Sequence, residues 1–204
     1  MKLRIMAMAA LALAISSGAS RAADPRYPDW PCTQAKVPEV SLAAVWAGPP
    51  LDDIKDKWKD NAKVSALVSQ LSARKTQLDE AQKSVKEFLA NSASDKTMNA
   101  KLLFAGLFDT LNAQRSSVMN GLERVSRKQR AAADKIREDT IELQAQQGAT
   151  PRDDAKVDAL SNQLTWETRI FEDRRKVVRF VCEVPTTIDQ RLFALGRVIQ
   201  QELE

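Results

Sequence analysis

The residues of this chain whose types could do chemistry are two cysteines, Cys32 and Cys182, and a set of arginines gathered towards the middle of the sequence. An even cysteine count in an exported chain reads as a disulfide. Neither cysteine lies in a CxxC motif, and a chain without histidine has no imidazole to activate a thiolate. For a closed loop of this length, about 150 residues, the chain-entropy account gives roughly 5 kcal/mol of stabilisation.

The arginines form two groups. Arg74 and Arg115 occupy core slots of the helical patterns described below, at nearly the same level and near Cys182. Glu183, Asp109 and Asp189 are plausible acceptors for them. A buried arginine needs a carboxylate or a bound anion, because an unpaired buried charge is very costly. Such a layer would be either a small-anion pocket or an internal pair that fixes helix register, unless both side chains snorkel to water. The second group is a basic belt made by "RVSRKQR" and "RIFEDRRKVVR". It comprises Arg124, Arg127, Lys128 and Arg130, with Arg174, Arg175, Lys176 and Arg179. Glu123, Glu172 and Asp173 dilute it. The belt could hold lipid head groups, and so a peripheral membrane contact, or an acidic partner. The plainer reading is a solvated helix face laced with local ion pairs.

What is missing narrows the chemistry. With His at 0, Ser-His-Asp and Cys-His catalysis and His-ligated zinc are excluded. Asp52-Asp53 and Asp153-Asp154 look like cation ligands, yet both stand at helix starts, where the dipole explains them. No cofactor motif, metal motif or catalytic constellation is evident, so the chain reads as non-enzymatic.

The elements that must position these residues follow from punctuation and periodicity. Residues 1–22 read as a cleaved secretory leader, with a basic start, the apolar run "IMAMAALALAI" and small residues before Ala23. That run falls short of the roughly 20 residues needed to span a bilayer. Removing Lys2, Arg4 and Arg21 with the leader leaves 28 basic against 27 acidic residues. Such balance argues against nucleic acid as a partner.

Residues 23–51 hold six of the eight prolines and two of the four tryptophans. They read as an extended strap, pinned by Cys32, with Trp30, Val37, Val40, Leu42, Val45 and Trp46 covering apolar surface. "SLAAVW" suggests a short helical turn within it. From residue 52 the apolar spacing is helical and close to a heptad. It predicts helices over about 52–90, 96–147, 151–183 and 187–203. Thr150 caps the third with Pro151 at its first position, and Pro185 interrupts the last rod.

The expected fold is all-α: an elongated antiparallel three-helix, coiled-coil-like bundle with a kinked last helix and an N-terminal extended strap. The expected protein is a bacterial periplasmic adaptor, scaffold or holdase-type chaperone acting on another protein or on protein clients. Binding of a small anion or anionic lipid is the alternative, and leftover heptad faces could pair as a homo-oligomer. Replacing Cys32 with serine is expected to lower the melting temperature of the oxidised protein; an unchanged value would mean that the N-terminal segment is not fastened to the helices.

Overall fold

A computed structural model describes residues 24–92 and 95–204; the leader read from residues 1–22 lies outside them. The described residues are helical, without strands. A short helix α1 (Leu42–Val45) is followed by a 3-10 turn (Lys55–Lys59), then α2 (Ala62–Ser72), α3 (Leu78–Ala90), α4 (Lys96–Gln147), α5 (Asp154–Val181) and α6 (Val184–Gln201). None of these helices is long and apolar enough to cross a membrane.

The spine is α4, whose 52 residues run for about 78 Å at 1.5 Å per residue. Antiparallel to it lie α5 and α6 in sequence. Lys156 pairs with Glu142, the Gln129 side chain donates to the Phe171 carbonyl, Arg115 pairs with Asp189, and Lys96 approaches Glu202. The paired residue numbers sum to roughly 300 in each case, so one register runs the full length of α4. Between α5 and α6 the chain breaks only at Cys182 and Glu183. Pro185 sits in the first turn of α6, where a missing N–H costs little. The helix therefore resumes at Val184 rather than at residue 187. At the other end Asp153, not Thr150, caps α5 by accepting the Lys156 N–H, so this helix starts three residues later than its sequence suggests.

The first helical stretch departs most from expectation. Instead of one helix over 52–90 there are three pieces. Asn61 accepts the Val64 N–H and starts α2 afresh. At residues 73–77 the helix gives way to a turn flanked by extended Ala73 and Gln77, and the end of α2 is satisfied from outside the helix. The Thr76 hydroxyl donates to the Gln70 carbonyl, Arg191 donates to the carbonyls of Leu71 and Thr76, and Gln114 reaches the Ser72 carbonyl. Helix α2 packs on α4, whereas α3 packs chiefly on α6.

These contacts create a head in which Phe104, Leu103, Leu107, Leu111, Leu192, Leu195 and Ile199 are buried together with Val64, Val68, Leu71, Val85 and Leu89. Trp46 stacks on Phe104 with ring centroids 4.2 Å apart. Beyond Leu122, α4 has only α5 beside it among the helices, and no residue of 123–147 is fully buried.

The N-terminal segment crosses to this spine. Cys32 and Cys182 form a disulfide with Cα atoms 5.6 Å apart, and the Gln34 side chain donates to the Cys182 carbonyl. Val45 and Trp46 are buried, but Val37 and Leu42 are exposed, contrary to the sequence reading. At residue 37 the backbone faces the protein instead, because its carbonyl accepts from Arg115.

Two glycines in α4 give opposite expectations. A Cβ on Gly106 would lie 2.6 Å from Val68 Cγ2 and 2.9 Å from the Trp58 ring, whereas one on Gly121 would meet only the far end of Arg124, at 3.8 Å. Helix propensity alone favours alanine by about 1 kcal/mol at both positions, and overpacking typically costs about 1–3 kcal/mol. Gly121→Ala is expected to raise the urea midpoint and Gly106→Ala to lower it. A rise in both would show that α2 and Trp58 do not press on α4.

Candidate functional site

The two arginine groups fare differently. Arg115 is 3% exposed and enclosed by protein groups. Its Nε lies 2.8 Å from Asp189 Oδ1, and its two terminal nitrogens donate to the carbonyls of Pro38 and Val37. Burial pushes the Asp189 carboxyl above its usual range, against the pull of Arg115. Arg115 thus ties α4, α6 and the N-terminal segment together.

Arg74 does not join it. It lies in the turn after α2 and is exposed, so the two arginines form no layer. The physical reason is the break in the first helix, which removes Arg74 from the heptad that would have buried it. Of the other acceptors considered, Asp109 receives the Trp58 indole N–H, and Glu183 is exposed. The half-buried arginine of the head is instead Arg191, which the sequence reading missed. It sits next to Gln190 in an ordinary polar step of the helix, and only the carbonyls of a broken α2 call for it.

The belt divides into three. Arg127 and Arg130 hold Asp29 in ion pairs, and Arg130 also donates to the Pro28 carbonyl. Lys36 reaches Glu123 on the same side. Arg175 and Lys176 pair one turn back along α5 with Glu172 and Asp173, and Arg179 is exposed. The remaining members, Arg124, Lys128 and Arg174, gather with Arg74 around a groove between α4 and α5, of about 810 Å³.

The floor of this groove is apolar. Val118, Leu122 and Val125 supply it from α4, and Val177, Val178 and Val181 from α5. Val125 is 38% exposed and Val177 is 59% exposed. Asp173 is the one acid in the lining, and it already pairs with Lys176. None of the four rim cations is in an ion pair among the described residues. Arg174 also borders a second hollow of about 200 Å³, lined by Ala132, Ile136, Trp166, Ile170 and Phe171 together with Lys135 and Glu167, which pair with each other. The two hollows lie along the α4–α5 seam and share Arg174.

On α5 the heptad-like spacing picks out Val157, Leu160, Leu164, Phe171, Val178 and Val181. Trp166, Ile170 and Val177 widen that stripe towards the groove. A stripe wider than one neighbour requires was the available signal for this face. Among the described residues, no group of three or more Cys, Asp or Glu side chains is arranged to hold a metal ion. The chain has no match among protein families, curated proteins or solved structures.

Asp29 offers a pH handle on the side where the N-terminal segment meets α4. Hydrogen bonds from Arg127 and Arg130 hold its carboxyl below the usual range. A carboxylate whose pKa is depressed in the folded state stabilises that state above its free pKa of about 3.9, and the contribution fades as pH falls through the folded value. Residues 24–31 are therefore expected to loosen from α4 in acid while the disulfide keeps them tethered. Amide exchange in this segment, corrected for intrinsic rates, should quicken below about pH 4 in the wild type. In Asp29→Asn it should already be fast at pH 7, and equal protection of the two proteins at pH 7 would rule out Asp29 as the anchor.

Proposed function

We propose that this chain is an exported, non-enzymatic interaction protein that binds another protein through the α4–α5 groove, as an adaptor, scaffold or holdase-type chaperone. The observation that carries the reading is the groove itself: an aliphatic floor on which Val125 and Val177 are exposed and Val118, Val178 and Val181 are half-buried, beneath four cations that have no acidic partner among the described residues. Uncovered apolar surface rimmed by charge is what a partner site requires and what a self-contained helical hairpin avoids.

The finer architecture belongs to the same reading. The leader is removed, the head is a three-helix bundle, and residues 24–50 act as a strap that closes one side of the α4–α5 seam. The periplasm suits a protein whose two cysteines are joined.

The second reading, an anionic amphiphile such as a lipid, is favoured by the same combination of valines and unpaired cations. The arginine layer no longer supports a small-anion site, because Arg115 is enclosed by Asp189 and two carbonyls and Arg74 stands apart from it.

A photo-crosslinking residue at Val177, compared with one at the exposed Val37 on the strapped side, tests the proposal in the cell envelope. Protein adducts are expected at Val177 and not at Val37. One discrete adduct would mark an adaptor, and a ladder of adducts a holdase. Absence of protein adducts at Val177, or equal labelling at both positions, would overturn the assignment.

A further inference from the structure

We infer that the groove is the seat of a third helix that this chain does not itself supply, and that its occupant is an acidic amphipathic helix of a partner protein. The inference rests on the reading above that a partner protein binds here.

Position is the first argument. In the head the third layer over α4 is α2, which ends at Ser72. Arg74, two residues further on, already lines the groove. The vacancy thus begins where the third layer of this chain stops. Both walls point the same way. With 3.6 residues per turn, Val118, Val125, Ala132 and Ile136 lie to one side of the line along which α4 meets α5. On α5, Trp166, Ile170, Arg174 and Val177 flank that line on the same side. Two helices with apolar residues both on their mutual seam and on one shared flank are two members of a three-helix arrangement. From Val118 to Ile136 the flank runs roughly 27 Å, which an occupant of about 18 helical residues would fill.

Charge identifies the occupant. Arg74, Arg124, Lys128 and Arg174 stand along this flank without acidic partners among the described residues, so a helix entering between them needs Asp and Glu on its edges. A second copy of the chain would bring the same four cations to meet them. The leader, if retained, is apolar but carries only Lys2, Arg4 and Arg21 and no acid. A bilayer is flat and offers no ridge to enter a channel between two helices.

Two designed peptides of about 18 residues, sharing one leucine stripe and differing in having Glu or Lys along its edges, provide the test. Fluorescence anisotropy with the mature oxidised protein is expected to show binding of the Glu peptide, with a gain of helix by circular dichroism. The Lys peptide should bind at least about tenfold more weakly, and Arg124→Glu/Arg174→Glu should reverse the preference. Both positions are exposed, and a thermal melt checks the fold; should the double variant not fold, Lys128→Glu takes its place and should narrow the preference.

Equal affinity for the two peptides, or no binding of the Glu peptide, would overturn the inference. So would binding of phosphatidylglycerol vesicles in place of peptide, which would assign the groove to lipid. Dimerisation in sedimentation that Arg124→Glu leaves unchanged would likewise overturn it, in favour of a second copy. Crosslinking at Val177 together with peptides that show no charge preference would leave the partner site standing and remove only its acidic occupant.

Discussion

A helix as long as α4 carries apolar residues around more of its girth than one neighbour can cover, and the rest of the structure is arranged by how that demand is met. One flank is covered from end to end by α5 and α6 in a single antiparallel register. The other flanks are covered only in part. Helix α2 and the 3-10 turn serve the N-terminal half, the segment before residue 50 serves another side, and the α4–α5 groove remains. The transition is held at one level. There Arg115 grips Asp189 and two carbonyls of the N-terminal segment, the disulfide fixes the joint between α5 and α6, and α2 comes to its end. An ion pair in such a place contributes little net stability when intact but is costly to break from one side. Its effect is to fix which segments meet.

Much of this was legible in the residues. The all-helical class, the disulfide, the length of α4 and the matching of α5 plus α6 against it all follow from periodicity and punctuation. These are strong signals because a long heptad pattern averages over many positions. The level at which Cys182 meets α4 followed from helix rise alone. The break at 73–77 was not legible, since "ARKTQ" contains no glycine or proline to announce it. What ends α2 is a set of donors from Thr76, Gln114 and Arg191, two of them distant in sequence. Long-range donors of this kind leave no local trace.

That unannounced break is also why the site was seen only in outline. Arg74 was read as a core residue because it falls in a heptad slot, and it is the loss of the heptad that carries it to the groove. The belt was visible as a cluster of eight cations, but its division was not. Asp29, nearly a hundred residues before its arginine partners, draws two of them to the N-terminal segment. Local acids satisfy two more on α5. Four belt residues are left, and three of them line the groove with Arg74, where they have opposite charge to find elsewhere. Electrostatic residue left over after internal pairing is a sharper guide to a binding face than the raw density of charge.

The placement of the two cysteines has a consequence for how the chain is made. With only two of them, one intramolecular pairing is possible, so the oxidation step offers no wrong bridge to reshuffle within a single molecule. Cys32 precedes every helix of the described residues, and Cys182 lies between the last two. If the chain crosses a membrane amino end first, the thiol of Cys32 emerges early and must wait for nearly all of the helical sequence. During that interval its available partners belong to other molecules. The covalent bond therefore closes late and acts as a seal on a finished topology, recording that α4, α5 and the leading segment have already found one another.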